Sequence, residues 1–473
     1  MLLKRIYDDQ LAQASYMVAC EEAGVALIVD PLRDASRYIA AAAEENVTIT
    51  DVTETHIHAD FVSGARDLAR ETGARLHLSD MGGDDWRYGG LDAAVDLLRD
   101  GSTFSVGSVR IDVMHTPGHT PEHLTFLVTD TSSAGVPIGA LTGDFIFVGD
   151  VGRPDLVERA AGVSGTKEPS ARDLYRSLQK FKALPDYLQL WPGHGAGSAC
   201  GKALGAMPQS TLGYERLFNW GLAESNEEKF VREVLSGQPD PPAYFAVMKR
   251  INRDGPPALV REPPPKISAR DVAAKLAEGA PVIDTRLATE FAERHAVGTI
   301  NVPDSKSLLK WAGALIPYDR DIFLIVPDGD QQSIIEKLSL IGLDRIGGVY
   351  GLRSLGDLES AGVQMRETPE LSVNALRQRV ENGQVILDVR APDEWDHGHI
   401  PGALHIPLGS LQSRLDEVPR DTEIAVHCQG GTRSVIAASI LQKNGFSVAN
   451  IAGGFGEWER SGGEIERGGA TIR

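Results

Sequence analysis

Two places in the chain carry reactive side chains at spacings that do chemistry. The first is "THIHAD" (55–60), where His56, His58 and Asp60 alternate and offer three metal-ligating groups within five positions. Three further segments join it. "HTPGHTPEH" (115–123) presents His119 on a turn made by Pro117 and Gly118; "LTGDFIF" (141–147) places Gly143 before Asp144 at a strand start; "WPGHGAGSACG" (191–201) presents His194. One loop histidine means little, but four such segments in this order mark a metal centre, since imidazole and carboxylate suit first-row transition metals. Seven of the twelve histidines fall between His56 and His194.

The second place is "AVHCQGGTRSVIAA" (425–438). An apolar strand ends at His427, Cys428 opens a loop of Gln429, Gly430, Gly431 and Thr432, and Ser434 begins an apolar helix. Successive backbone N–H groups in such a loop point at the sulfur. The helix N-terminus and Arg433 both favour the thiolate. A structural cysteine at a strand end is the plain alternative, and the order of glycines, arginine and helix start argues against it.

These residues need elements to hold them. "VALIVD" (25–30), "VRIDVMH" (109–115) and "LTFLVTD" (124–130) read as strands, "DASRYIAAAAEE" (34–45) and "FVSGARDLARETG" (61–73) as helices. A strand within "TITDVTETHIH" (48–58) would deliver His56 and His58 to a sheet end. The pattern predicts an α/β sandwich, two sheets between helical layers. "DGPPALVREPPPKIS" (254–268) carries five prolines and reads as an extended linker. Beyond it lies a repeat: "SARDVAAKLAEGAPVIDTR" (268–286) resembles "SVNALRQRVENGQVILDVR" (372–390) at an offset of 104 residues. Each copy continues with a carboxylate two or three residues past the arginine, then strand, helix and a "GG" turn. That alternation predicts two small parallel sheets covered by helices. The first copy reads "IVPDGDQQS" (325–333) at the loop, with Pro327 or Asp328 where Cys428 stands and Gln332 where Arg433 stands. It has no thiol and cannot carry sulfane sulfur.

Composition sets the outer limits. A chain of 473 residues implies about three domains. The net charge of -19 disfavours nucleic acid and anionic membrane as partners. No segment approaches the length of a membrane helix, and the first residues lack a signal-peptide core. Three scattered cysteines argue against a disulfide framework and for a reducing, cytoplasmic setting.

The C-terminal copy resembles the rhodanese sulfurtransferase family, whose loop is a cysteine with five residues after it, as in Cys428 to Arg433. Related phosphatases use a loop one residue longer. "DVRAPDEWDHGHIPGALHIP" (388–407) and "GGFGEW" (453–458) carry the same resemblance. In this pattern Asp388, Arg390 and His399 are read as structural, holding the loop and the "HIPGA" turn.

The metal segments resemble the metallo-β-lactamase superfamily and, within it, the persulfide dioxygenase branch that carries mononuclear Fe(II). In the superfamily's hydrolases the first motif ends Asp-His, and that histidine helps hold a second metal. Here the position is Phe61, which leaves a second site at most Asp60, His194 and a share of Asp144, and weakens two-metal hydrolysis. The resemblance implies His56, His119 and Asp144 as ligands of one Fe(II) per chain, a facial triad with open positions. His58, Asp60 and His194 then orient ligands or hydrogen-bond bound oxygen, with ligation the alternative for His58. His115 and His123 are read as structural, His77 as a partly buried strand histidine. In "GDVGRPDL" (149–156), Arg153 and Asp155 shape the pocket; Arg153 either holds a substrate anion or makes a structural ion pair. Tyr175 is a further pocket candidate. Cys200 is either a persulfide relay or a semi-buried thiol.

The implied architecture is an αββα metallo-β-lactamase sandwich (1–252), a proline-rich linker (253–266), an inactive rhodanese-like domain (267–366) and an active rhodanese domain (367–473). The implied function is sulfide detoxification: oxidation of thiol persulfides (of glutathione, coenzyme A, cysteine or a bacterial thiol) by O2 to sulfite, with sulfur transfer to or from thiosulfate. A homo-oligomer is also implied. The competing readings are a dinuclear zinc thioester hydrolase of the glyoxalase II kind and a sulfur carrier without turnover.

Overall fold

The computed structural model describes all residues except 92–94, 162–164, 199, 203, 239, 381–382 and 469–473, so the last five positions of the expected C-terminal domain lie outside the described residues. The chain divides into two compact units. The first is Met1–Val260 with Ser339–Gly342, the second Arg261–Leu338 with Leu343–Arg473. Residues 255–265, rich in proline, form neither helix nor strand.

The first unit holds two six-stranded sheets. One runs, in spatial order, Leu2–Asp8, Gln13–Cys20, Val25–Val29, Thr48–Thr53, Arg75–Ser79 and Val95–Leu98. Its first three strands are antiparallel hairpins and the rest are parallel, because helices Ser36–Glu44 and Ala65–Thr72 make the crossovers. The other sheet runs Ser210–Thr211, Gln189–Pro192, Gly139–Gly143, Leu124–Asp130, Val109–His115 and Thr103–Val106. Val109, Ile111 and Val113 alternate inward and meet Leu27, Val29, Phe126 and Trp191 in a core between the sheets. Outside, Leu174, Leu178 and Phe181 of helix Lys167–Phe181 pack on Ala140 and Leu190. The expected sandwich is therefore present: helices, two sheets, helices.

Some boundaries shift. The strand starting at Thr48 stops at Thr53, so His56 and His58 sit on irregular chain past the sheet end. The helix expected from Phe61 begins only at Ala65. His77 is fully buried and not partly so, because Asp51 takes its Nε2 at 2.8 Å and Phe104 stacks on its ring.

The second unit holds the two predicted parallel sheets. One runs Ile300–Asn301, Val282–Asp284, Ile322–Pro327, Ile346–Leu352. The other runs Glu370–Leu371, Val448–Ile451, Ile424–His427, Val385–Asp388, Leu404–His405. The repeat is visible down to single hydrogen bonds. Arg286 Nη2 meets Asp284 Oδ2 at 2.6 Å, and Arg390 Nη2 meets Asp388 Oδ2 at 2.6 Å. His295 and His399 each place Nδ1 on a carbonyl four residues back, at 2.8 and 3.1 Å, and stack on Phe291 and Trp395. Each buried arginine has its carboxylate beside it, as a buried charge requires. In the first copy Asp328 follows the strand on the surface, tied to Arg353 Nε at 2.8 Å. Among the described residues no helix is long and apolar enough to cross a membrane.

Candidate metal centre and thiol loop

Asp144 is the carboxylate around which the first site is built. It follows the end of strand Gly139–Gly143 and does not start a strand as expected. Gly143 turns the chain with φ 48°, and a Cβ there would stand 2.5 Å from Thr55 Oγ1, so the turn requires glycine. Asp144 N donates to His123 Nε2 at 3.2 Å, which helps fix the carboxylate. Its Oδ2 lies 3.4 Å from His119 Nε2 and 3.9 Å from His56 Nε2, while Oδ1 faces His194 Nε2 at 3.5 Å. One donor atom from each of His56, His119 and Asp144 lies within 4.8 Å of the other two, and all three residues are buried.

The protonation states suit a cation. Burial, then the neighbouring imidazoles, hold His56 well below its ordinary pKa; burial, then His194, hold His119 down at about 3. Both rings are neutral near pH 7 and can present a lone pair. The tautomer of His56 follows from its neighbours. Thr55 Oγ1 donates its one proton to Asp30 Oδ2 at 3.0 Å and so accepts from His56 Nδ1–H at 2.9 Å. That leaves His56 Nε2 bare and facing Asp144. Burial lifts the Asp144 carboxyl to about 6. His56 Nε2, both Asp144 oxygens, His194 Nε2 and Asp60 Oδ1 are buried without a hydrogen-bond partner. Leaving a buried polar group unsatisfied costs about 1–3 kcal/mol, and a bound cation would satisfy these together. The residues therefore fit a metal ion.

The other expected site residues divide. His58 gives Nε2 to Asp30 Oδ1 at 3.1 Å; burial opposes its charge, but the Asp30 carboxylate prevails and lifts its pKa to about 9. Its ring lies 4.4 Å from that of Phe61, which is fully buried. Asp60 Oδ2 stands 3.2 Å from His194 Nε2. Arg153, fully buried, makes a two-pronged ion pair with Asp155 at 3.1 and 2.7 Å. Cys200 is 2% exposed and forms a second donor group with Asp60 and His194. Tyr175 is corrected. It lies within helix Lys167–Phe181, donates to Ser225 O at 2.6 Å and packs on Phe230, so its hydroxyl is committed to the outer helical layer. Sequence reasoning missed Asp30 and Thr55. Their one signal is a carboxylate closing the otherwise apolar "VALIVD".

At the thiol loop, strand Ile424–His427 ends at Cys428 and helix Thr432–Lys443 starts two residues earlier than expected. Gly431, at φ 115°, aims its N–H at Cys428 Sγ over 3.1 Å, and Ser434 Oγ stands 3.6 Å from the sulfur. Arg433 reaches Cys428, yet its main partner is Glu394, which grips both terminal nitrogens at 2.5 and 2.7 Å. Glu394 is the second of two acids past Arg390, after Asp393 at the expected spacing of three. Beside the loop lies a cavity of about 340 Å³ lined in part by Arg390, Asp393, Glu394, Gln429, Phe455 and Glu459.

Comparison with known proteins places both sites. The description "Metallo-beta-lactamase superfamily" matches residues 8–194, and "Rhodanese-like domain" matches 372–461. A crystal structure of a metallo-beta-lactamase from Staphylococcus aureus is 42% identical, with a TM-score of 0.69, covering 74% of this chain and 99% of that one. The provisionally named sulfur carrier protein YrkF of Bacillus subtilis is 41% identical over 93 residues, 19% of this chain and 50% of that protein. A hydroxyacylglutathione hydrolase of Rhodospirillum rubrum is 30% identical over 179 residues, 38% of this chain and 60% of that protein. The chain spans about half the length of the first curated relatives it matches.

Proposed function

The chain belongs to the metallo-β-lactamase superfamily, and we propose that it couples a persulfide dioxygenase to a sulfurtransferase. The first unit would convert a low-molecular-weight thiol persulfide, O2 and water into the thiol and sulfite. The rhodanese-like domain would carry sulfane sulfur on Cys428 and pass it to sulfite, giving thiosulfate, or run the reverse.

One observation carries the reading. Two neutral imidazoles and one carboxylate converge on a buried centre with their donor atoms unspent, while Phe61, fully buried, offers no donor atom. An Fe(II) ion held by His56, His119 and Asp144 would supply the redox chemistry that O2 requires. The chain's own residues do the positioning. Thr55 and Asp30 set the His56 tautomer, His123 orients Asp144, and the sandwich core excludes bulk water. Arg153, already neutralised by Asp155, shapes the wall and is not a free anion clamp. At Cys428, the Gly431 N–H and the N-terminus of helix Thr432–Lys443 face the sulfur, which would attack the outer sulfur of a persulfide. The donor thiol leaves with a proton and Cys428 keeps the sulfur. Sulfite then takes that sulfur and the Cys428 thiolate returns. Placing both sites in one chain raises the effective concentration of sulfite at the second.

The test is metal content together with oxygen uptake on glutathione and coenzyme A persulfides. Iron-dependent uptake, lost in His56→Ala, is expected. Two zincs with thioester hydrolysis would establish the hydrolase instead, and no uptake by iron-loaded protein would leave a sulfur carrier.

A further inference from the structure

The thiol-free copy of the repeat covers the helix that starts at the thiol loop. Helix Thr432–Lys443 buries an unbroken run of residues, Ser434 to Gln442. A helix lying on one sheet buries a stripe and leaves the rest to water. The corresponding helix of the first copy does this, for within Gln331–Leu340 the buried residues are Ile334 and Leu338. The extra burial in the second copy comes from across the repeat, inside the same compact unit. Phe291 and Ala292 of helix Ala288–Glu293 pack on Val435. Strand Ile300–Asn301 stands at the edge of the first copy's sheet, so its outward N–H groups need partners. Asn301 N–H donates to Ser439 Oγ at 3.0 Å, and the Ser439 hydroxyl donates in turn to Ile436 O at 2.6 Å. Lys443 Nζ ties the far end of the helix to Gly298 O at 2.8 Å.

We propose that the thiol-free copy is a positioning element of the sulfur-transfer site: strand Ile300–Asn301 and helix Ala288–Glu293 hold helix Thr432–Lys443, and with it the Cys428 loop. The start of that helix carries the groups that face the sulfur. Gly431, just before its first turn, gives its N–H to Cys428 Sγ at 3.1 Å, and Ser434 Oγ stands 3.6 Å from the same atom. A helix moves as a stiff element. A tilt or slide admitted at Val435 or Ser439 therefore shifts Gly431 and Ser434 against the strand that ends at His427. This role needs an edge strand and a helix face but no thiol, so a copy without cysteine fills it.

The inference rests on Cys428 as sulfur carrier for its kinetic readout only, and a second readout separates the two. On the full-length chain, amide hydrogen exchange of segment 428–434 is followed by mass spectrometry, beside kcat and KM for sulfur transfer. Ser439→Ala leaves the Asn301 N–H without its acceptor, and Phe291→Ala empties the contact on Val435. Exchange in 428–434 should rise about tenfold in Ser439→Ala, the size of one buried hydrogen bond, and further in Phe291→Ala. In both, kcat should fall with KM nearly unchanged. Leu358→Ala, in the first copy's own core cluster, controls for general loosening and should leave the segment as in wild type. Exchange unchanged in both variants, or raised equally by Leu358→Ala, overturns the proposal. Should Phe291→Ala fail to fold, Ser439→Ala decides alone. Absence of sulfur transfer by the wild type would refute the sulfurtransferase reading, and the exchange result would still decide this one.

Discussion

Thr55→Val isolates how the metal centre is held from behind. Thr55 Oγ1 contacts no ion; it donates to Asp30 Oδ2 at 3.0 Å and accepts from His56 Nδ1–H at 2.9 Å. Valine keeps the shape and removes both bonds. The hydrogen bond to the charged Asp30 is worth about 1.5–3 kcal/mol, and the stranded Nδ1–H costs a further ~1–3 kcal/mol. Asp30 Oδ1 keeps the Thr55 N–H at 2.6 Å and His58 at 3.1 Å, while Oδ2 loses the Thr55 hydroxyl. The fold should survive at lower stability, and the main effect should fall on His56. Without its partner, Nδ1–H no longer fixes the ring or the bare Nε2. Loss of such a partner typically weakens metal binding 10–100-fold, about 1.4–2.7 kcal/mol. Competition of the protein with a chromophoric chelator for Fe(II) reads this directly. Thr55→Ser, which keeps the hydroxyl, should bind like wild type. If the valine variant binds within about threefold of wild type, the tautomer argument fails, and with it the role given to Asp30.

Cys428→Ser should abolish sulfur transfer while oxygen uptake stays largely intact; joint loss would show that the two sites do not work separately. Phe61→His should raise binding of a second ion and lower dioxygenase activity, at some cost in stability because Phe61 is fully buried against His58; an unchanged metal ratio would count against this. Glu394→Gln removes the charge that occupies Arg433, so the KM for thiosulfate should fall several-fold in a sulfur-transfer assay, and an unchanged or higher KM refutes it. Burial acts to raise the Glu394 carboxyl, but Arg433 outweighs it and holds the pKa below its ordinary 4.5. The ion pair therefore stabilises the domain above that value and is lost as pH falls through the lower, folded one. Acid unfolding monitored by circular dichroism should shift to higher pH in an Arg433→Ala variant.

Ligand types and loop chemistry were legible in the sequence because they are local. The four histidine and aspartate segments, the run from Cys428 to Arg433, and the 104-residue echo of Asp284 and Arg286 in Asp388 and Arg390 each lie within a few positions. The sandwich and the two parallel sheets were legible as well, through apolar runs of strand length separated by helical stretches. Where each side chain points was not, because direction is set by partners distant in sequence. Asp30, in a left-handed backbone at φ 52°, engages His58 and through Thr55 sets His56. Glu394 takes Arg433 across the loop, and Ser225 draws Tyr175 outward. Phe61, read from "THIHADFVSG" as the place of a missing ligand, is fully buried against His58. That Cys200 comes to lie beside Asp60 and His194 depends on the loop after His194 folding back, a juxtaposition that only the packed tertiary structure produces.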